Sequence, residues 1–531
     1  MIAERMKTME EKRLSLKLLW KNARSAVIMT HDTEADYETN EYDIYLNGKK
    51  LLTTSKTVET VYDLKPNTVY RVRVGRGAEL SEEIEIRTEA EFVTLNVRDF
   101  GAKGDGISDD TAFIQAAILT CPPDSRVLIP EGVYRFTNLF LKSGITFEIG
   151  KGAVLSAIPD KSRLPVLPGR IESYDEDGEF LPSSWEGDPL DSFASIVTGM
   201  YVENVVICGR GILDGNADFD NWWNAEKRKN DPGRPRMIFL NHCKNVTVQG
   251  ITVKNSPSWN LHPYFSEHLK FIDLHIESPC NSHNTDGINP ESCTDVEIAG
   301  VSFSVGDDCI AIKSGKLYMG KTYKTPSKDI LIHHCLMENG HGGVTIGSEI
   351  AAGVDNIRIQ NCRFIGTDRG LRVKTRRGRG KDSYLRGIMF DGVKMEGVLT
   401  PFVINCFYYC GPDGKSEYVA TKEKLPADER TPRVGSVTVR NVVCTDCHVA
   451  GVYFYGLPES PIESIVMENV KIAFAQNAKA GRSAMMIGCE PCSKKGIIIR
   501  NAKEVLLKNV EITGYNGECA DIHGVDRLER I

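Results

Sequence analysis

A short unit recurs through most of this chain: Asn or Asp, then Val or Ile, then alternating apolar residues. Examples are NVVICGRGILDG (204–215), NVTVQGITVKNS (245–256), DVEIAGVSFSVG (295–306) and DILIHHCLMENG (329–340). NIRIQNCRFIGT (356–367), SVTVRNVVCTDC (436–447) and EVLLKNVEITGY (504–515) continue the series. Most spacings correspond to one or two units of about 20–30 residues, the period of a stacked coil. Each unit supplies two or three strands too short to bury a face alone, so neighbours must stack. Helical periodicity is nearly confined to DDTAFIQAAILTC (109–121), which predicts an N-terminal capping helix. The expected fold is all-β: a right-handed parallel β-helix over residues 91–531. A β-propeller would need regular blades of four antiparallel strands, which the Gly/Asn spacing does not supply.

Residues 1–90 differ in texture. From residue 14 to 90, short alternating strands (SLKLLWK, SAVIMTHD, EYDIYLNGKKL, TVYRVRVG, EEIEIRTE) are divided by Asn-Gly and Pro-Asn turns. LKPNTVY, ending at Tyr70, reads as a tyrosine corner, its phenol reaching back to upstream backbone. The segment resembles a small fibronectin type III β-sandwich. It carries no cluster of acids or histidines, so its expected role is packing or spacing.

The chain is 41% apolar and 26% charged, with a net charge of −7. That balance disfavours nucleic acid as a partner. No apolar run approaches a membrane span, and acids interrupt the N-terminus before any signal-peptide core forms. The fifteen cysteines lie mostly singly in apolar strands, as at Cys208, Cys309 and Cys335, which suits reduced thiols and a cytoplasmic location. Two pairs, Cys444/Cys447 and Cys489/Cys492, have the spacing of a four-thiolate zinc site. Cysteine as a small apolar filler of repeated strands accounts for them as well, and no metal or cofactor is expected.

Within SVGDDCIAIKSG (304–315), two adjacent acids, Asp307 and Asp308, interrupt what otherwise reads as a buried strand. Burying unpaired carboxylates is costly, so the pair needs a chemical reason. Asp286, in NSHNTDGINP (281–290), precedes Asp307 by twenty-one positions, about one coil. With stacked strands about 4.8 Å apart, it should project close to the pair. The next coil carries His341 in GHGG, and the one after it Arg372 and Lys374 in LRVKT. Gly287, Gly306, Gly340 and Gly342 would let a ligand approach the backbone. Taken singly, an Asp closes turns, a His sits on a surface, and RVKTRRGRGK is a solvated basic loop. Their convergence on neighbouring coils favours one site. Calcium would draw more oxygen ligands, and the nearby Arg and Lys oppose it.

NTDG, GDD, GHG and Arg-x-Lys, in this order on a β-helix, resemble the polygalacturonases, pectin-cleaving inverting glycoside hydrolases. The resemblance spans about residues 92–525, and NVRDFGAKGDGISDDT (96–111) is similar to the start of β-helix domains in related pectin-active families. It implies that Asp307 protonates the glycosidic oxygen while Asp286 and Asp308 hold and activate water. An inverting pair is expected roughly 6.5–9.5 Å apart, with crowding keeping one carboxyl protonated. His341 would tune the network, Arg372 and Lys374 would grip a galacturonate carboxylate, and Tyr408 would line the +1 subsite. Asn284 is a candidate to orient Asp286, Trp259 and His262 to line the sugar site, and Arg376 and Arg377 to extend the carboxylate grip.

The expected substrate is oligo- or polygalacturonate. Alternatives are a rhamnogalacturonan or xylogalacturonan hydrolase, a calcium-dependent pectate lyase, or a non-catalytic saccharide-binding solenoid. Long insertions at 159–194 and 411–435, plus the shorter 316–326, map to loops on a binding face. Tyr174, Phe180, Trp185 and Phe193 would order the first one. Placed over the non-reducing side, with the exit side open, these loops predict exo-cleavage.

Overall fold

The computed structural model describes residues 14–31, 35–174 and 178–531, with the side chains of Arg228 and Pro412 left aside. From Thr94 onward the chain winds as a parallel β-helix, with thirty strands joined in one sheet system and Leu139–Phe140, Val197–Met200, Ile238–Asn241 and Leu261–Tyr264 in a separate four-stranded parallel sheet. A typical coil has three short strands, such as Thr294–Ala299, Ser302–Val305 and Ile310–Ile312. Each pairs in parallel with its counterpart one coil later: Val296 with Ile330, Phe303 with Met337, Ile310 with Val344. Apolar side chains fill the bore. Phe364, Phe390 and Phe402 stack edge-to-face at 5.7 and 5.8 Å, and all three are fully buried. The helix Thr111–Thr120 caps the first coils, as the sequence predicts, burying Ile114, Ala117 and Ile118.

The residue that opens each repeat has a conformational task. Asn204, Asn245, Asp295, Asp329 and Asn356 all have φ between 52° and 57°, the left-handed region that Asn and Asp tolerate. Their side chains also ladder from coil to coil: Asn245 Nδ2 donates to Asn204 Oδ1 at 3.1 Å, and Asn356 Nδ2 to Asp329 Oδ1 at 2.6 Å. The repeat signature is a turn requirement, met once per coil.

Ahead of the helix, two antiparallel sheets share a small core. One joins strands Ser15–Lys21, Ala26–His31 and Val58–Val61; the other is built on Glu38–Leu46, Lys49–Lys56 and Val69–Arg76. Tyr42, Ile44, Val72, Val74 and Ile86 are buried between them. The Tyr70 hydroxyl accepts from the backbone N–H of Lys65 at 2.9 Å. This unit is seated on the β-helix: Val27 and Val58 pack on Ile272 and Ala299. Lys56 pairs with Asp273, and Gln249 Nε2 donates to Thr60 Oγ1 at 2.9 Å and Tyr62 Oη at 3.0 Å. The approach is close enough that a Cβ on Gly300 would lie 2.5 Å from Val58 Cβ.

Candidate active site

The third strand of successive coils forms a floor: Leu261–Tyr264, the bridge residues Ile288 and Glu291, then Ile310–Ile312, Val344–Ile346, Arg369–Lys374 and Thr400–Asn405. The acids sit where each coil turns into this floor. Ile288 is in register with Ile310, and the Gly287 N–H donates to the Asp308 carbonyl at 3.0 Å. Asp286 is therefore stacked on Asp308, one residue later than the spacing to Asp307 suggests. The turn glycines serve this stacking, not ligand access. A Cβ on Gly287 would meet the Cys309 carbonyl oxygen at 2.3 Å, and one on Gly342 would meet Asp308 Oδ1 at 2.6 Å.

Asp286, Asp307 and Asp308 bring carboxylate oxygens within 4.8 Å of one another. This is tighter than the 6.5–9.5 Å separation expected of an inverting pair. Asp286 and Asp308 are buried, 3% and 1% exposed, while Asp307 is the partly open member. Lys374 Nζ donates to Asp308 Oδ2 at 2.8 Å and Arg372 Nη1 to Oδ1 at 2.9 Å. Burial alone would raise the Asp308 pKa, but the Lys374 and Arg372 charges outweigh it and hold it far below the carboxylate range. Asp286 is driven the other way, well up, by burial first and the Asp307 charge second. Its Oδ2 accepts from Asn289 Nδ2 at 3.0 Å, and its Oδ1 has no hydrogen-bond partner. The trio is the one set of potential metal ligands found among the described residues. Both Asp308 oxygens are already engaged by cationic donors, which a divalent ion would have to displace.

Several sequence expectations need correction. Arg372 and Lys374 are first of all the partners of Asp308; Arg372 Nη2 faces only the weak acceptor Met485 Sδ, at 3.5 Å. His262 does not line a sugar site: it is 0% exposed, with Nε2 2.9 Å from Glu291 Oε2 and Trp259 packed on its ring. Burial, then the charges of Arg236 and Lys313, press its pKa well down, and burial lifts Glu291 to about 7. Arg377 is a structural anchor. It is 1% exposed, binds Glu459 through two nitrogens, and donates to the carbonyls of Tyr418, Thr421 and Glu423. Asn284 accepts from Arg234 Nη2 at 2.5 Å, and the side chain on Asp286 is Asn289.

The remaining candidates stay near the acids. The His341 N–H donates to the Asp307 carbonyl at 3.1 Å; its imidazole is half-exposed, with Nδ1 3.9 Å from Asp368. The Tyr408 ring lies 5.4 Å from Lys374 Nζ. Arg376, partly exposed, bridges to Phe407 beside it. Cys444, Cys447 and Cys489 are buried in the apolar core of the helix.

Two charged residues escaped the sequence reading. Lys313 Nζ donates to Glu349 Oε2 at 3.0 Å and sits 4.8 Å over the Trp259 ring. Its charge bears on Asp286. A lone Lys in an Ile-rich strand was the visible signal for Lys313; Glu349, 36 positions away, had none.

The insertion 159–194 lies on the N-terminal side of the acids. Trp185 packs between Arg234 and Arg236, 5.5 and 5.0 Å from their guanidinium carbons. Asn241 Nδ2 donates to the Leu181 carbonyl at 2.7 Å, and Lys316 Nζ pairs with Asp188 at 2.8 Å. Phe193 packs on Trp222, whereas the Tyr174 and Phe180 side chains are exposed.

A parallel β-helix with a buried acid trio, one member open to solvent, defines a carbohydrate-active hydrolase scaffold. The profile of glycosyl hydrolases family 28 matches residues 179–489, and that of a rhamnogalacturonase A/epimerase, pectate lyase-like family matches 94–164. The chain belongs to glycosyl hydrolases family 28, the polygalacturonase family. It is 29% identical to a probable polygalacturonase of Vitis vinifera, over 77% of this chain and 79% of the relative. It is 30% identical to an endo-polygalacturonase of Pectobacterium parmentieri, over 57% of this chain and 73% of the relative. A hyperthermoactive exopolygalacturonase of Thermotoga maritima superposes with a TM-score of 0.64 at 27% identity, covering 80% of this chain and 93% of that one. A family 28 exopolygalacturonase of Yersinia enterocolitica shares the fold over 98% of both chains, with a TM-score of 0.72 at 20% identity.

Proposed function

We propose that this chain hydrolyses α-1,4-galacturonosidic bonds of galacturonate oligomers from the non-reducing end, with inversion. The observation that carries the reading is the division within the trio: Asp307 is open, Asp308 is locked as an anion by Lys374 and Arg372, and Asp286 is driven to hold a proton. Coupled carboxylates titrate as a set, so the proton belongs to the cluster. Asp307, the accessible member, delivers it to the glycosidic oxygen as that bond to the anomeric carbon breaks, while the Asp308 carboxylate holds the attacking water and takes its proton, which returns the cluster to one proton. Inversion is supported by what the other two acids cannot do. Asp286 is buried and Asp308 is clamped on both oxygens, so neither is free to attack an anomeric carbon, while both can hold water. Arg372 and Lys374 keep unused N–H donors for the carboxylate of the departing sugar.

Exo action is supported by the insertion 159–194, which walls the N-terminal side of the acids through Leu181, Trp185 and Asp188. A cytoplasmic setting is consistent with cysteines that are all unpaired thiols; fractionation of the source cells checks it. Viscosity loss measured against reducing-end release on polygalacturonate tests the mode. Slow viscosity loss is expected, and a rapid loss at low bond cleavage would make it an endo enzyme. NMR of the first product anomer tests inversion. Faster turnover of rhamnogalacturonan than of polygalacturonate would overturn the substrate.

A further inference from the structure

The floor is covered on the C-terminal side as well, where the sequence reading left it open. Gly481 and Cys492 exchange backbone hydrogen bonds, 2.9 Å each way, closing the intervening residues into a loop. Arg369 fastens the loop's near limb, donating from Nη2 to the Arg482 carbonyl at 2.7 Å and from Nε to the Ser483 carbonyl at 3.3 Å. Met485 is its tip. The Met485 carbonyl accepts from Asn405 Nδ2 at 3.0 Å and from the Tyr409 N–H at 3.2 Å. Its sulfur lies 3.5 Å from Arg372 Nη2.

Register shows what the loop covers. Val403 and Tyr453 follow Arg372 on the next two coils, and Asn405 follows Lys374. These are the positions a chain running along the floor would meet after the Arg372–Lys374 pair, and they are 2%, 7% and 2% exposed. On the opposite side, Phe239, Asn241, His262 and Tyr264 are likewise buried, at 0–3%. Among the described residues, Asn284, Asp307, His341, Arg376 and Met485 stay accessible between them, and past the loop the half-buried Tyr455, packed on Phe407 and beside Lys422, follows Asn405. At about 4.8 Å per rung, the four coils from Asp286 to Arg372 leave an opening about 14 Å long.

We propose that Met485 and the loop 481–492 end the site one sugar beyond the scissile bond, making this a hydrolase of short galacturonides. This rests on the galacturonide reading above and adds its upper size limit. Residues past the first on the Arg372 side gain no contact and must bend away over Met485.

The test measures affinity and turnover against chain length. The full chain carrying Asp307→Asn should bind di-, tri- and hexagalacturonate with dissociation constants within about threefold. A steady gain of tenfold or more from dimer to hexamer would mean an extended groove and overturn the proposal. In the wild-type enzyme, kcat/KM per non-reducing end should fall at least tenfold from trimer to polygalacturonate. Met485→Ala should narrow that fall severalfold, and an unchanged ratio would remove Met485 as the limit. If no galacturonide of any length binds or is cleaved, the functional reading itself fails; equal kcat/KM per non-reducing end for trimer and polygalacturonate refutes the size limit alone.

Discussion

Asp286 and Asp308 hold the same rung position on adjacent coils, yet their surroundings drive their ionisation in opposite directions. Burial and the Asp307 charge push Asp286 up, while Lys374 and Arg372 overcome burial and hold Asp308 down. One stacked pair thus supplies a neutral acid and a fixed anion about one strand spacing apart.

Lys313 is the cation that restrains Asp286. Replacing Lys313 by Met, with Glu349→Gln so that no carboxylate is stranded, should let the Asp286 pKa rise further. The proton then stays to higher pH, and the alkaline limb of the kcat/KM profile should move upward. A downward shift would show that Lys313 does not act through Asp286.

Asp307 and Asp308 should separate activity from stability. Asp307→Asn removes the open carboxyl and should lower kcat by about 10²–10⁴ with little change in denaturant midpoint. Asp308→Asn strands two buried cations and should cost about 3–5 kcal/mol of stability as well. In the wild type, the Asp308 contribution is present above the unfolded pKa of about 3.9 and is lost as pH falls further. Acid unfolding should therefore be less steep in Asp308→Asn. Equal unfolding curves for the two variants would contradict the clamp.

Glu291, shifted to about 7 in the folded chain, keeps its proton where the unfolded carboxyl has lost it. Stability should fall as pH rises from about 4.5 to about 7, by about 1.4 kcal/mol per unit from this group. Glu291→Gln keeps a donor for His262 Nε2 and should flatten that slope. Denaturant titrations at several pH values measure it, and an unchanged slope would point to another group.

The N-terminal unit rests on the helix through a contact with no spare room at Gly300 (φ 63°). Gly300→Ala should lower thermal stability and open the junction near residue 91 to proteases. A change in kcat would give the unit a part in catalysis in place of packing.

What could be read from sequence was whatever recurs or stacks. The coils were legible because Asn204, Asn245, Asp295, Asp329 and Asn356 must all take a left-handed turn. The acids were legible because their motifs fall on consecutive coils. Hidden were contacts between residues distant in sequence with ordinary side chains: Glu349 on Lys313, Glu459 on Arg377, Met485 on Asn405. His262 misled for a related reason, since strand position alone does not say that the insertion 159–194 and Arg236 bury that part of the floor. The register error at Asp286 came from counting turns when the bridge Ile288–Ile310 sets the alignment.

The Arg372–Asp308–Lys374 clamp has a consequence for how an anionic sugar reaches the site. Asp307, Asp308 and Glu349 are balanced by Lys313, Arg372 and Lys374, with Asp286 neutral, so these groups sum to about zero. The chain as a whole carries a formal −7. A polyanion therefore meets repulsion at long range, and the clamp groups themselves add no net attraction. Recognition falls to hydrogen-bond direction at close quarters, and added salt should quicken the capture of longer galacturonates while barely touching that of the dimer.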